Sequence, residues 1–315
     1  RDSGQGPVSA PGAGGQPLLL ASMPWVFVAI WSTGFVVARL AMPHAPPLGF
    51  LCWRYAASLV AFGAWIAIAR APWPQGRAQW GHLAVSGVLM HAGYLGGVWA
   101  AVRLGMPAGT TALIVGLQPL FTALWVSRAG AGAGVTGAGQ PSVSPAQWLG
   151  LLLGLAGLVC VVWPKLSLGE VTGANLGLAL LALASITTGT LYQKHHVVPA
   201  DVRSGNFVQL AAALAVSLPL AALEPGTVEW HPDLLIALAW SVLVLTLGGS
   251  SLLMMLIQRG AATRVTSLLY LVPPCTALLA WWLFGERMAT SGWLGMALCA
   301  AGVGLVLRQP ARPSR

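Results

Sequence analysis

Carboxylates are nearly missing from this chain. Seven of its 315 residues are Asp or Glu, and charged residues of both signs make up 7%, against roughly a quarter of an average soluble domain. So little charge cannot solvate a water-exposed fold. The acids that do occur avoid the apolar stretches: Glu170, Glu224, Glu229, Asp233 and Glu286 fall in loops or at stretch ends on one side, Asp2 and Asp201 on the other. A carboxylate proton relay across a membrane is thereby excluded. Cysteine is equally scarce. Cys52, Cys160, Cys275 and Cys299 sit singly in apolar runs without C-x-x-C spacing, which indicates neither a disulfide framework nor a zinc site. They read as packing residues. No P-loop and no H-E-x-x-H motif occurs, so ATP-driven transport within this chain is excluded and no cofactor or metal is implied.

What is abundant is apolar: 57% of the residues are hydrophobic. A lipid-spanning helix needs about 20 consecutive, mostly apolar residues, and ten stretches meet that need, some only just. They run from Leu18 to Leu40, Pro47 to Ile68, Trp80 to Val102, Ala108 to Val126, Gln147 to Trp163, Ala174 to Gln193, Asn206 to Leu223, Leu234 to Ile257, Thr263 to Phe284 and Gly292 to Leu307. The first exceeds the apolar core of a signal peptide and is followed by nine more, so it is kept as a span.

The second half repeats the first. Trp148-Leu149-Gly150 with Gly157 is answered by Trp293-Leu294-Gly295 with Gly302, Pro119 and Thr122 by Pro273 and Thr276, Gly105 by Gly260, and Thr33-Gly34 by Thr188-Gly189. An offset of about 154 residues holds upstream and drops to 145 at the last match, because the first half carries an insertion before Trp148. With five helices per copy, the second copy enters the membrane upside down. The expectation is an all-α integral membrane protein of ten transmembrane helices in two inverted five-helix repeats, a construction common among secondary transporters, with the substrate site at the repeat interface.

Basic residues orient the chain, since Lys and Arg concentrate in cytoplasmic loops. Placing both termini inside leaves eleven basic residues on the cytoplasmic side and four, Arg39, Arg103, Lys165 and Arg287, outside, with Arg54 inside a span. The formal charge of +9 then reads as topology and contact with an anionic bilayer, and no soluble basic domain offers a nucleic-acid footprint. Residues 1–17 read as a disordered segment rich in Gly, Pro and Ser, with Met23 a candidate start. Residues 18–163 form the first repeat with a flexible cytoplasmic linker at 128–146, residues 174–307 the second, and residues 308–315 a basic cytoplasmic tail.

The run WSTGFVVARLAMPHAPP from Trp31 to Pro47, followed by Arg54, resembles the opening of the EamA family of the drug/metabolite transporter superfamily. PPCTALLAWWLFGE from Pro273 to Glu286, then W-L-G and Gly302, is similar to the end of an EamA repeat. The resemblance runs from Met23 to Leu307. It implies a ten-helix inverted-repeat carrier of small metabolites in the bacterial inner membrane, often an exporter of amino acids or related compounds. In one place the first copy departs: Trp-Val-Ser-Arg follows Leu124 where the family usually carries a G-E pair, so a role inferred for Glu286 is not to be assumed for a symmetric partner.

Polar groups inside spans are costly and mark pathways. Arg54 lies seven residues into the second span. It either anchors a substrate carboxylate or phosphate bidentately or bonds neighbouring carbonyls and headgroups; its repeat mate is the uncharged Gln209. His91 near the middle of the third span, with Tyr94 on the same face, either exchanges a proton or bridges helices. Gln118 lies on a mildly polar stripe with Thr110 and Thr122 beside Pro119, answered in the second copy by Ser267 and Tyr270. Thr33 and Thr188 form a further pair, and hydroxyls of this kind also serve to bond backbone within apolar helices. Trp31 and Trp99 are the tryptophans placed for a cavity. Arg54, His91, Tyr94, Trp31, Trp99, Thr33, Thr188, Gln118, Ser267 and Tyr270 are therefore the candidate substrate contacts, whereas Gly150, Gly154, Gly157, Gly295 and Gly302 are assigned to helix packing or to contact between two copies. His44, His82, His195, His196 and His231 read as solvated loop residues. The expected activity is gradient-driven, alternating-access movement of a small molecule, with a passive pore or a lipid-acting membrane protein as the other classes. The implied partners are that small molecule, the bilayer and, through the glycines, a second copy.

Overall fold

A computed structural model describes residues 16–122, 125, 145–249, 252, 271–286 and 289–307. Among these residues every regular element is helical and no strand occurs, as expected where lipid offers backbone groups no partner and each segment must satisfy its own. In chain order the helices are α1 (Gln16–Ala41), α2 (Pro47–Ala69), α3 (Arg77–Arg103), α4 (Ala108–Val115), α5 (Pro145–Ser167), α6 (Gly173–His196), α7 (Val202–Ala221), α8 (Pro232–Gly249), α9 (Val272–Phe284) and α10 (Thr290–Leu307). Six of them, α2, α3, α5, α6, α7 and α8, contain stretches long and apolar enough to cross a membrane, and shorter apolar stretches lie on the other four.

Local sequence explains the boundaries. Pro47 opens α2 and Pro232 opens α8, each in the first turn, where a missing N–H costs nothing. Thr172 and Asn175 form a capping box at the start of α6. The regular part of α4 ends at Val115, because Pro119 has no N–H to offer that carbonyl and its ring crowds it; after a turn at Gly116 and Leu117 the helix resumes to Thr122. Two helices are interrupted at matching places: residues Val88–Gly93 of α3 and Trp240–Gly249 of α8 are wound as π-helix.

Helix packing follows the repeat. α5 lies along α10, α2 along α7 and α4 against α9, so each of these helices touches its own counterpart. The remaining contacts exchange in the same way: α1 packs on α8 and α9, and α6 packs on α3 and α4. Outward faces stay apolar, with Trp53, Val60, Ile68, Leu152, Leu180, Leu243 and Trp282 exposed. Apolar surface on that scale is what lipid covers.

One end of the bundle gathers most of the acids. The Glu224 carboxylate accepts the Leu48 and Gly49 N–H groups at 2.8 and 3.1 Å, holding the start of α2 from the far end of α7. Glu286 does the same for Ala108 at the start of α4 and pairs with Arg39 at 3.7 Å. Burial pushes both carboxyls above the usual glutamate range, against the opposing pull of these N–H groups. At the other end, Gln79 exchanges two hydrogen bonds with the Val198 backbone, Ser86 donates to Gln193 at 2.9 Å, and Asp201 pairs with Arg203 at 2.7 Å. That pairing holds the Asp201 carboxyl below its ordinary value.

Candidate functional site

Between the two ends lies a cavity of about 120 Å³. α1 contributes Trp31, Gly34 and Phe35, α2 Arg54, α6 Ile186, and α8 Leu245 and Thr246. The largest share comes from α3, where Met90, His91, Tyr94, Leu95, Val98 and Trp99 line it. These positions follow the i, i+3, i+4 spacing of a single helical face, and Trp99 is fixed by stacking on Phe50 at 4.4 Å. Apolar and aromatic walls with a few convergent polar groups are the usual makeup of a small-molecule site.

Two equivalent contacts cross the repeat interface. Arg54 on α2 donates through Nη2 and Nε to the Thr246 hydroxyl on α8, at 3.2 and 3.4 Å. The Thr246 hydroxyl in turn donates a hydrogen bond to the Ser241 carbonyl at 2.7 Å. On the other side, α7 packs on the π-helical part of α3 that carries His91, and the Gln209 amide of α7 donates to Gln193 on α6 at 3.4 Å. Gly87, one turn earlier on α3, lets this helix lie directly against the Gln209 backbone. An offset of 155 residues turns Arg54 into Gln209 and His91 into Thr246, so the second helix contact is the first one rotated. Both π-helical segments are used, since His91 lies in one and Thr246 in the other, and such segments are frequent at functional sites. Tyr55 adds a hydrogen bond from its hydroxyl to the His91 carbonyl at 2.9 Å.

Five of the residues named from sequence, Trp31, Arg54, His91, Tyr94 and Trp99, therefore meet around one space. Thr33, Gln118 and Thr188 do not line it. Thr33 donates to the Ile30 carbonyl and accepts from the Trp240 indole, Thr188 bonds back to Ala184 and Ser185, and Gln118 donates to Thr190 at 2.9 Å. Ser267 and Tyr270 lie outside the described residues. Thr246 is the polar cavity residue missing from the sequence candidates. Its signal was the repeat itself, because it is the counterpart of His91.

An all-helical bundle with this apolar outer surface and a central crossed site defines a multi-pass membrane transporter. The chain belongs to the EamA-like transporter family, which it matches over residues 20–128 and 175–308. It is 26% identical over 282 residues to the "Uncharacterized inner membrane transporter YedA" of Escherichia coli K12, covering 88% of this chain and 87% of that one. It is likewise 26% identical over 302 residues to the "Probable amino-acid metabolite efflux pump" of Salmonella typhimurium, covering 91% and 96%. A solved structure shares the fold at a TM-score of 0.61 and 20% identity, over 92% of this chain and 97% of the other.

Proposed function

We propose that this chain is a carrier that moves small metabolites, amino acids or related compounds, outward across the inner membrane by alternating access around the central cavity. The observation that supports this most directly is the pair of crossed contacts. Rocking one repeat against the other moves α2 and α3 relative to α7 and α8, and thus acts on the Arg54–Thr246 bond and on the packing of α3 against α7 at the place where the cavity lies. The efflux-pump name of one relative supports the direction and the solute class. Proteoliposomes preloaded with unlabelled amino acid are expected to accumulate labelled amino acid transiently, with saturable rates. Linear, non-saturable flux without counterflow would instead establish a pore.

In this reading both termini face the cytoplasm, and the end that carries Glu170 and Asp233 faces out. Single cysteines engineered beside those residues are expected to react with an impermeant maleimide in intact cells, while one beside Arg203 reacts only after permeabilisation. Labelling at Arg203 in intact cells would reverse the orientation.

No carboxylate reaches the cavity among the described residues, which favours a uniporter over an ion-coupled pump. His91 then serves as a neutral polar part of the cavity wall. His91→Gln keeps a neutral hydrogen-bonding side chain there, and is expected to leave counterflow and the pH dependence of flux unchanged. Proton-driven accumulation that disappears in this variant alone would assign His91 to coupling.

A further inference from the structure

We propose that the group bound in the central cavity is a carboxylate, held by the Arg54 guanidinium together with the Thr246 hydroxyl, with the apolar body of the solute lying against Trp31 and Trp99. This rests on the carrier reading and narrows it to a solute class.

The first observation is an unbalanced charge. Arg54 is 8% exposed, and taking a guanidinium out of water is costly unless an anion compensates it. None of the chain's own carboxylates does so among the described residues. Of the seven acids only Asp2 lies outside those residues. Glu170 is paired with Lys165, Asp201 with Arg203, Glu286 with Arg39, and Asp233 with His44 and His231. Glu224 caps α2, and the Glu229 N–H donates to the His44 carbonyl at the same end of the bundle.

The second observation is an internal control supplied by the repeat. At the equivalent position α7 packs on the equivalent π-helical segment through the uncharged Gln209, whose amide donates to Gln193. A neutral side chain therefore suffices where a second-position helix meets the π-helical segment across the interface. The charge on Arg54 exceeds what packing needs. Its donors exceed it as well: a guanidinium has five N–H groups, and among the described residues only those on Nε and Nη2 are engaged, both on one hydroxyl.

The third observation is the makeup of the cavity. With one cation and few polar side chains, it matches one negative charge on a compact planar group, which a guanidinium binds through two parallel N–H groups. A phosphate dianion brings a second charge and a third oxygen that these walls do not serve. The aromatic and aliphatic lining takes an uncharged body.

The test uses the full-length protein in nanodiscs, with tritiated leucine as the probe and leucinamide, 4-methylpentanoate, inorganic phosphate and phosphatidylglycerol as competitors. Leucine and 4-methylpentanoate share the carboxylate, and leucinamide keeps the amine and the body but replaces the carboxylate and its negative charge with a neutral amide. Leucine and 4-methylpentanoate are expected to compete at similar concentrations, and leucinamide to be at least about thirtyfold weaker, the scale of losing a buried charge-assisted contact. Arg54→Gln should erase that preference while eluting as a folded monodisperse species, and Arg54→Lys should keep it in weakened form. Competition by phosphate or by phosphatidylglycerol discs in preference to the carboxylates would overturn the assignment. Equal binding of leucinamide, undiminished carboxylate binding by Arg54→Gln, or no saturable carboxylate binding would overturn it too. Counterflow separates the two readings: counterflow of neutral or cationic solutes unaffected by Arg54→Gln defeats the carboxylate and leaves the carrier, whereas carboxylate binding without counterflow does the reverse.

Discussion

Replacing Gly157 by leucine is expected to remove most of the folded protein. α5 and α10 meet along a seam of glycines, and at this seam the obstacle is backbone. A Cβ on Gly157 would collide with the Gly295 carbonyl and come within 2.7 Å of the Cys299 sulfur. The relation is mutual, since a Cβ on Gly295 would come 2.5 Å from the Gly157 carbonyl, and one on Gly302 would collide with the Gly150 carbonyl. No rotamer change relieves these contacts, so the helices must separate along the whole seam. Overpacking where neighbours can shift costs about 1 to 3 kcal/mol, and a backbone obstacle lies at or beyond the upper end. Folded yield of Gly157→Leu, read by size exclusion in mild detergent, should fall several-fold or more. Gly177→Leu is the control, because no atom lies within 4 Å of a Cβ at that position on α6. Wild-type yield and melting for Gly157→Leu would show that the seam separates freely. The same contacts use these glycines inside one chain, which is the packing side of the choice the sequence left open.

The all-helical fold was legible because composition decides it: long apolar runs with few charges have one way to satisfy their backbone in lipid. The repeat was legible for a similar reason, since the glycines at 150, 157, 295 and 302 that betray the duplication are the ones that touch. The π-helical segments were not legible. VLMHAG and WSVLVLTLGG differ in no evident way from neighbouring apolar sequence, and what they do, which is to aim His91 and Thr246, shows only in three dimensions. The site was half legible. Trp31, His91, Tyr94 and Trp99 stand out as polar or aromatic residues on apolar faces, and α3 sets three of them at helical spacing. Thr33 and Thr188 carry the same mark, but a hydroxyl can also bond a carbonyl of its own preceding turn, and the sequence holds nothing that tells the two uses apart. Gln118 failed to reach the cavity for a different reason. It begins the short helical stretch after the Gly116 turn, so the four-residue stripe with Thr110 does not run straight through. For Arg54, the uncharged mate Gln209 spoke in the sequence for mere bonding to carbonyls and headgroups. The structure reverses the weight of that fact, because α7 makes the equivalent helix contact without a charge at Gln209.

Gly34→Leu is expected to cut transport by about tenfold or more and leave the fold intact. Gly34 faces the cavity from α1, and the nearest atoms to a Cβ there are the Leu245 methyls at 3.8 and 3.9 Å, which is ordinary van der Waals contact. The position accepts a side chain without strain, and replacing a glycine inside a helix adds about 0.8 to 1 kcal/mol of intrinsic helix preference. The rest of a leucine side chain then projects into a space of about 120 Å³, where the solute must sit beside Trp31 and Arg54. Its repeat counterpart behaves oppositely. A Cβ on Gly189 would come 2.7 Å from Met90 Cγ and 3.0 Å from Leu89 Cβ, so Gly189→Leu presses α6 away from the π-helical part of α3 and is expected to lower folded yield. Measuring counterflow per milligram of folded protein separates the two. For Gly34→Leu, yield and melting should match the wild type while flux drops by about tenfold or more, the effect of losing roughly 1.4 kcal/mol or more of solute binding. Wild-type flux through folded Gly34→Leu would mean that the solute travels elsewhere than through this cavity.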